Sequence, residues 1–405
     1  MKSCGVIVEY NPFHNGHYYH IQSAKRKTEA DCTIAVMSGT FLQRGEPAII
    51  DKFHRTKAAL HSGVDIVIEL PFVYAVQNSD LFAKGAVQTL FHLGVSSICF
   101  GSEKGNIADF QSAYDIWNKN NNVFQHTLQA ALKEGVSFPE ASKAGYKSIG
   151  IDEHILDLFR PNNILGFSYV KEVLNNKLPI SLYTIKRKTS NYHDERIQGP
   201  IASATSIRKA LFQEGKLTET IAKTLPKATA NMLKEYKEHT STWHEWESYF
   251  PLLHYRVMSM TTKELQAIHG VDEGLEFRIK ETAKQATSFK QWMQMMKTKR
   301  YTWTRLQRIF VHILCNTKKE ETCYLQENKS IPYARILGMT NTGQSYLNRY
   351  KKQIEIPLIT GLSKNMHPFL HTEERVSNIY YSVLPPLKKV QFIKIELQPP
   401  IMVNA

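Results

Sequence analysis

The sequence contains few cysteines, no long apolar run and no internal repeat. Its five cysteines are scattered and show no CxxC spacing, which argues against a disulfide framework and a zinc knuckle. No stretch approaches the roughly 18 apolar residues of a membrane span. The apolar N-terminal run is short and interrupted by Glu9 and Pro12, unlike a signal peptide. These absences predict a soluble, cytoplasmic protein with no membrane association.

Acidic residues are scarce in the second half of the chain. Residues 216–405 hold 28 Lys and Arg against 17 Asp and Glu, a net charge of +11, whereas residues 1–215 carry +3. A localised positive charge attracts polyanions, nucleic acid above all, although many basic proteins bind none. At 405 residues the chain exceeds the usual size of one hydrophobic core, so we expect more than one domain.

Short β-branched runs alternate with helical stretches up to about residue 215. This alternation predicts an α/β fold with a parallel sheet covered on both faces. We expect a nucleotide-binding domain at 1–215, a mostly helical domain at 216–330 and a small mixed segment at 331–405. The predicted strands lie at 4–10, 32–39, 64–71, 95–103 and 180–188, with two short ones possible at 354–360 and 390–396.

The stretch NPFHNGH follows the first predicted strand and opens a helix, which we place near His17. A helix start offers free N–H groups and a positive dipole end to an anion, and Gly16 would allow close approach of a nucleotide. His14 and His17 could both donate to oxygens that gain charge when an α-phosphate is attacked.

Two other interpretations of this stretch stay open. The HxxH spacing, continued by His20, could form a metal site, but no third carboxylate or cysteine ligand is visible and we predict no metal ligands. Alternatively, the stretch could be a structural turn whose histidines lie on the surface. The position between a strand and a helix favours the phosphate site.

A second hydroxyl-rich stretch, SATSIRKAL, also opens a predicted helix. Ser203 and Thr205 are natural capping residues, and the helix start could hold the β and γ phosphates while Arg208 neutralises them. An ordinary capping motif with a solvated arginine is the alternative. Two helix starts in one sheet-based domain favour a triphosphate clamp.

These motifs resemble those of a known family. NPFHNGH is similar to the HxGH signature of the HIGH nucleotidyltransferase superfamily, and ASATSIR is similar to its second motif, ISSTxIR, with Ala202 and Ala204 as departures. The whole N-terminal domain resembles the bacterial tRNA(Met) cytidine acetate ligases. The matching stretches are GVIVEYNPFHNGH, MSGTFLQRGEPAIIDKFHRTKAAL, DIVIELPFVYA, FGSE, RPNNILGFSYVK and SATSIR.

The resemblance implies a Rossmann-like (HUP-type) catalytic domain and an ATP-dependent ligase. Such an enzyme forms acetyl-adenylate from acetate and ATP, with Mg²⁺ accompanying ATP, and acetylates the wobble cytidine of elongator tRNA(Met). It implies no stable protein partner. Carried over to this sequence, the family's ATP-binding positions are Ile7, Val8, Glu9, Tyr10, Asn11, Pro12, Phe13, His14, Asn15, Gly16, His17, Tyr18, Tyr19, His20, Gly101, Asn162 and Arg187.

The basic stretch KTKRYTWTRLQRIF in the helical domain predicts the tRNA contacts. By helical spacing Trp303 should face the core with Leu306 and Phe310, leaving the cations for phosphates. The predicted contacts are Lys297, Lys299, Arg300, Arg305 and Arg308. A small-molecule adenylyltransferase of the same superfamily is the alternative function, although its substrate would not require a basic C-terminal half.

Overall fold

The computed structural model describes residues 1–187, 197, 199–322, 331–362 and 367–404. The last residue of the strand predicted at 180–188 and Cys323 lie outside these ranges. In the described part, eight strands form one sheet in the order β5-β4-β1-β2-β3-β6-β7, with β8 paired to β6. The strands are β1 (Ser3–Val8), β2 (Cys32–Ser38), β3 (Ile66–Leu70), β4 (Ser97–Ser102), β5 (Ser181–Lys186), β6 (Ala334–Thr340), β7 (Leu358–Ile359) and β8 (Ile401–Val403).

Helices cover both faces of this sheet and make up most of the region after it. In the first half they are α1 (Asn15–Thr28), α2 (Lys52–Leu60), α3 (Phe72–Ala75), α4 (Ser79–His92), α5 (Ile107–Lys119), α6 (Asn121–Lys133), α7 (Phe138–Ser148), α8 (Glu153–Leu156), α9 (Pro161–Asn175) and α10 (Ala204–Glu214). In the second half they are α11 (Glu219–Ala222), α12 (Lys227–Thr240), α13 (Trp246–Ser259), α14 (Thr262–Gln266), α15 (Leu275–Ala283), α16 (Phe289–Met296), α17 (Trp303–Leu314), α18 (Asn341–Tyr350), α19 (Pro368–Tyr380) and α20 (Pro386–Ile395).

The central strands are buried on both faces. Along β2, Ile34 and Val36 belong to one apolar cluster, whereas Ala35 and Met37 belong to the cluster on the opposite face. This alternation follows from the two-residue period of a strand, and it explains why these strands read as continuous apolar runs. The α/β fold class predicted from the sequence is confirmed. No helix within the described ranges combines the length and apolarity needed to cross a membrane.

The C-terminal segment differs from its sequence-based prediction in two respects. The strand β6 was not predicted, and it pairs antiparallel with β3, so that the sheet is mixed. The strand predicted at 390–396 is wrong, because these residues lie in and just after α20. Pro385 and Pro386 favour a helix start there, and only Phe392 of the helix is buried.

A buried network of four charges attaches the C-terminal segment to the sheet. Arg335 on β6 donates to Glu69 on β3 (3.0 Å) and to Glu396 (2.8 Å). Lys52 on α2 contacts the same two carboxylates, at 2.7 and 3.0 Å. Each charge in this group has partners of opposite sign, which offsets the cost of removing it from water. The network therefore links α2, the sheet and the C-terminal segment.

Removing one cation from this network should destabilise the fold strongly. In Arg335→Leu, Glu69 and Glu396 share the single cation Lys52, so the free energy of unfolding should fall by about 3–5 kcal/mol. Urea unfolding followed by circular dichroism measures the change. The matched control is Arg349→Leu, because Arg349 is exposed on α18. A loss in Arg335→Leu no greater than in the control would show that the network contributes little.

Candidate functional site

The first motif forms the loop between β1 and α1. The helix begins at Asn15, two residues earlier than predicted, and His14 is its N-cap residue. The Nδ1 atom of His14 accepts a hydrogen bond from the N–H of Gly16 (3.0 Å). The Nδ1 atom of His17 accepts one from the N–H of His14 (3.3 Å). The two histidines thus form a reciprocal capping box, in which imidazoles replace the usual hydroxyl and carboxylate.

This capping box determines which nitrogen of each ring carries the proton. An Nδ1 that accepts a hydrogen bond has no proton, so the neutral ring carries its hydrogen on Nε2. The rings of His14 and His17 stack with their centroids 3.8 Å apart and both line the same cavity. The site therefore presents two neighbouring Nε2–H donors.

Gly16 has a role in the packing of the helix start. A Cβ atom at this position would lie 2.8 Å from Cε1 of His14. The absence of a side chain thus makes room for the capping imidazole, and because Gly16 also lines the large cavity, its contact with a nucleotide stays a prediction. The glycine and the histidine ring together shape the start of the helix.

The three histidines of the motif are neutral at pH 7. Burial, together with the cations Arg187 and Arg208, lowers the pKa of His14 to about 3. Burial also lowers the pKa of His17 well below its ordinary value and that of His20 to about 4. Neutral imidazoles can donate from Nε2 to a phosphate oxygen without first taking up a proton.

A cavity of about 1300 Å³ opens beside this helix start, beyond the carboxyl ends of the strands. It brings together residues from the first motif, from the end of β4, from β5 and from the start of α10. The predicted ATP-binding residues that line it are Ile7, Val8, Glu9, His14, Gly16, His17, Tyr19, His20, Gly101, Asn162, Arg187 and Ser203. This position agrees with the general location of ligands in parallel sheets.

Other residues of the first motif do not line this cavity, and four of them support the loop. Tyr10 and Phe13 are buried, and their ring centroids lie 5.1 and 5.7 Å from that of His17. The side chain of Asn11 accepts from the N–H of Ile49 (2.7 Å), and that of Asn15 donates to the carbonyl of Pro200 (2.8 Å). The remaining two residues of this group are Pro12 and Tyr18.

Gly101, Asn162 and Arg187 meet at the β4–β5 side of the cavity. The guanidinium of Arg187 donates to Oδ1 of Asn162 (3.0 Å), whose Nδ2 donates to Glu103 (2.7 Å). A Cβ atom at Gly101 would lie 3.3 Å from Cγ of Arg187, so the glycine admits the arginine side chain. Three residues that are distant in the sequence therefore form one wall.

The second motif is divided between two cavities. Ser203 caps α10 by accepting from the N–H of Ser206 (3.0 Å) and lines the large cavity. Thr205 and Arg208 line a separate cavity of about 370 Å³. The guanidinium of Arg208 donates to the carbonyl of Asn11 and to Glu46, both at 2.9 Å. In this structure Arg208 connects two loops, although its charge still lowers the pKa of His14.

The basic stretch of the second half contributes directly to the large cavity. Arg300, Arg305 and Arg308 line it, whereas Lys297 and Lys299 are exposed outside it. Trp303, predicted to be buried, is 37% exposed. It occupies the first position of α17, one turn before Leu306 and Phe310 enter the core, so it lies beyond the packed part of the helix.

Several cavity residues could not be found from the sequence, among them Gln43, Gln77, His269 and His312. Gln43 lies in the matching stretch that begins MSGTFLQRGEP, which did not single it out, whereas Gln77, His269 and His312 come from other segments and carry no local motif. Gln77 contacts the ring of His269 at 3.1 Å, and His312 contacts the carbonyl of Val76 at 3.0 Å. Tertiary packing alone places them against the nucleotidyltransferase motif.

The carboxylates of the site are too dispersed to form a metal cage. No group of three or more His, Cys, Asp or Glu in the described ranges is arranged to hold a metal ion. Glu9 lines the cavity, where burial raises its pKa although the N–H of Gln43 and the cation Arg44 favour its charged form. A Mg²⁺ ion bound mainly through substrate phosphates needs only one or two such carboxylates.

The depressed histidine pKa values predict a stability loss on acidification. Between pH 6.5 and about 4 the unfolded chain protonates His20 while the folded chain does not, so stability falls as pH falls. From pH 7 to pH 5, His20 alone should account for a loss of about 2 kcal/mol. Urea unfolding at both pH values should show this difference between the wild type and His20→Gln. His61→Gln removes an exposed histidine, so this variant should lose as much stability between pH 7 and pH 5 as the wild type. An equal loss in the wild type and in both variants would contradict the low pKa assigned to His20.

Comparison with known proteins connects this geometry to a family. The family model described as HIGH Nucleotidyl Transferase matches residues 1–393. A tRNA(Met) cytidine acetate ligase of Oceanobacillus iheyensis is 54% identical over 403 residues, covering 100% of both chains. The Bacillus subtilis protein of the same name is 46% identical over 383 residues, covering 94% of this chain and 92% of its own.

Two solved structures have the same fold over their entire length. Thermotoga maritima TmcAL in its apo form superposes with a TM-score of 0.91 at 33% identity, and each chain is covered completely. The same protein bound to alpha-thio ATP superposes with a TM-score of 0.89 at 34% identity, again with complete coverage. The chain therefore belongs to the HIGH nucleotidyltransferase family, in the branch that contains the tRNA(Met) cytidine acetate ligases.

Proposed function

We propose that this protein is an ATP-dependent ligase that acetylates the wobble cytidine of elongator tRNA(Met) through an acetyl-adenylate. The observation that carries the proposal is the pair of Nε2–H donors on His14 and His17, held at a helix start inside the large cavity. The names of the full-length relatives and the nucleotide bound to the Thermotoga maritima protein support it.

In the first step, acetate attacks the α-phosphorus of ATP. A carboxylate oxygen forms the new P–O bond while the bond to the pyrophosphate leaving group breaks, and no proton has to move. The Nε2–H groups of His14 and His17 would donate to the α-phosphate oxygens as their charge grows. Mg²⁺ would arrive with ATP and neutralise the departing phosphates.

We propose that the two walls of the cavity orient ATP for this step. Arg187 and Asn162, joined by a hydrogen bond of 3.0 Å, would hold the nucleoside side of ATP next to Gly101. Ser203 at the start of α10 would bind the β and γ phosphates. Thr205 and Arg208 line the neighbouring cavity and would support ATP binding indirectly. Arg208 would hold the first motif in place, because its guanidinium donates to the carbonyl of Asn11.

In the second step, the exocyclic amine of cytidine attacks the acetyl carbon. The bond between the acetyl group and AMP breaks, AMP leaves, and the amine loses a proton. The tRNA would approach from the helical domain, where Lys297 and Lys299 are exposed and Arg300 and Arg305 reach the cavity. Exposed Trp303 offers a face on which a base could stack.

Nucleoside mass spectrometry tests the proposal directly. Unmodified tRNA(Met), incubated with the protein, ATP, Mg²⁺ and acetate, should yield N4-acetylcytidine and release AMP and pyrophosphate. Omission of either acetate or ATP should abolish the product. If the complete mixture gives no N4-acetylcytidine and AMP is instead transferred to a phosphorylated small molecule, the protein is an adenylyltransferase of another kind.

Replacement of His17 should impair the first step more than ATP binding. In His17→Ala one donor to the α-phosphate is lost, so the rate of acetate-dependent exchange between pyrophosphate and ATP should fall about 10²- to 10³-fold. The capping bond is lost as well, at a cost of about 1 kcal/mol in stability, which thermal melting measures. The control is His61→Ala, an exposed histidine. An exchange rate near that of the wild type would exclude the role proposed for His17.

A further inference from the structure

Arg308 is a half-buried cation with no carboxylate partner among the residues that the structure describes. Its side chain lines the large cavity, and among those residues its guanidinium makes one hydrogen bond, a long contact of 3.4 Å to the carbonyl of Gln43. Two other arginines near the cavity have carboxylate partners: Arg300 contacts Glu273 at 2.6 Å, and Arg208 contacts Glu46. Within the described ranges no aspartate or glutamate lies within ion-pair distance of Arg308.

The protein retains this charge at an electrostatic cost. Burial lowers the pKa of Arg308 to about 10, and the neighbouring cation Arg305 lowers it further rather than compensating it. A guanidinium removed from water without a counter-ion is unfavourable unless a ligand supplies the missing charge. The environment of Arg308 therefore suits an anion that the described part of the chain does not provide.

Close packing positions the base of this side chain. At Gly45, where φ is +75°, a Cβ atom would lie 2.3 Å from the backbone nitrogen of Arg308. The loop after β2 is thus pressed directly against α17. The cation belongs to a rigid junction between the two halves of the chain rather than to an exposed surface.

The lining around Arg308 combines apolar and polar groups. Val76 and Ile309 are buried apolar residues that line the same cavity, and His312 contacts the carbonyl of Val76. The ring of His269 contacts Gln77 nearby. A cation and apolar side chains that line one cavity match a short-chain carboxylate, whose charged end and alkyl end need different neighbours.

The order of the strands places this junction on the side of β1 opposite the proposed nucleoside wall. Strands β4 and β5, which carry Gly101 and lead to Arg187, lie on one side of β1. The loops after β2 and β3, which carry Gln43 and Val76, lie on the other side. The first motif, where the α-phosphate would be held, follows β1 between them. A nucleophile bound near Arg308 would thus lie across the first motif from the proposed nucleoside wall.

We propose that Arg308 binds the carboxylate of acetate and orients it for attack on the α-phosphate. The planar guanidinium matches a carboxylate through two parallel hydrogen bonds, and Val76 and Ile309 would contact the methyl group. The proposal rests on the ligase function proposed above. It assigns Arg308 to the small substrate, whereas the sequence-based hypothesis assigned it to tRNA.

Steady-state kinetics of acetate-dependent exchange between pyrophosphate and ATP, without tRNA, tests the assignment. Arg308→Gln should raise the KM for acetate about 10- to 100-fold, because a charge-assisted hydrogen-bonded pair is lost, and should leave the KM for ATP within about twofold. Arg308→Lys keeps the charge but not the paired geometry, so it should raise the KM for acetate by a smaller factor. Thermal melting checks that both variants fold. If Arg308→Gln does not fold, the KM for acetate of Arg308→Lys tests the assignment.

The matched control is Arg349→Gln, which removes an exposed arginine outside the cavity and should preserve both KM values. An unchanged KM for acetate in both Arg308 variants overturns the assignment. In the complete acetylation assay with tRNA(Met), a change confined to the KM for tRNA would also overturn the assignment and would return Arg308 to the RNA surface. A wild-type protein without acetate-dependent exchange would refute the ligase function itself, and the role of Arg308 with it.

Discussion

The paired hydrogen bonds between two imidazoles and the backbone at the start of α1 underlie the whole site. Each bond occupies one Nδ1 atom, so the remaining proton of each ring has to be on Nε2. Burial keeps both rings neutral, and Gly16 leaves room for the stacked arrangement. One local motif thereby ends the loop after β1, starts the helix and leaves two Nε2–H donors at the large cavity, where the proposed mechanism would use them.

The other parts of the site lie on either side of this motif, along one edge of the sheet. Strands β4 and β5 present the wall of Gly101, Asn162 and Arg187, and the loops after β2 and β3 meet α17 at Arg308. Because parallel strands end at the same edge, every group faces one cavity. In the proposed reaction, this arrangement would give the nucleotide and acetate separate approaches to the same phosphorus.

Local patterns were sufficient for much of the fold and for part of the site. Apolar runs located β1 to β5, and in β1 to β4 burial on both faces leaves a continuous signal. Residues 390–396 were predicted as a short strand, but they lie in and just after α20, whose start is favoured by two prolines. Trp303 was predicted to be buried but is exposed. Helical periodicity shows which side chains share a face of the helix, but it does not show where along the helix the core stops covering that face.

The sequence by itself determined the α/β class, the helix-opening first motif and the family, because each of these depends on neighbouring residues or on a short, specific spacing. Only the tertiary structure decided that β6 extends the sheet beyond β3, that Arg208 joins two loops, and that Arg308 lies against Gln43 with no counter-ion in the described part of the chain. These features depend on contacts between segments that are tens to hundreds of residues apart. Their energies come from burial and from charge pairing, which no local pattern records.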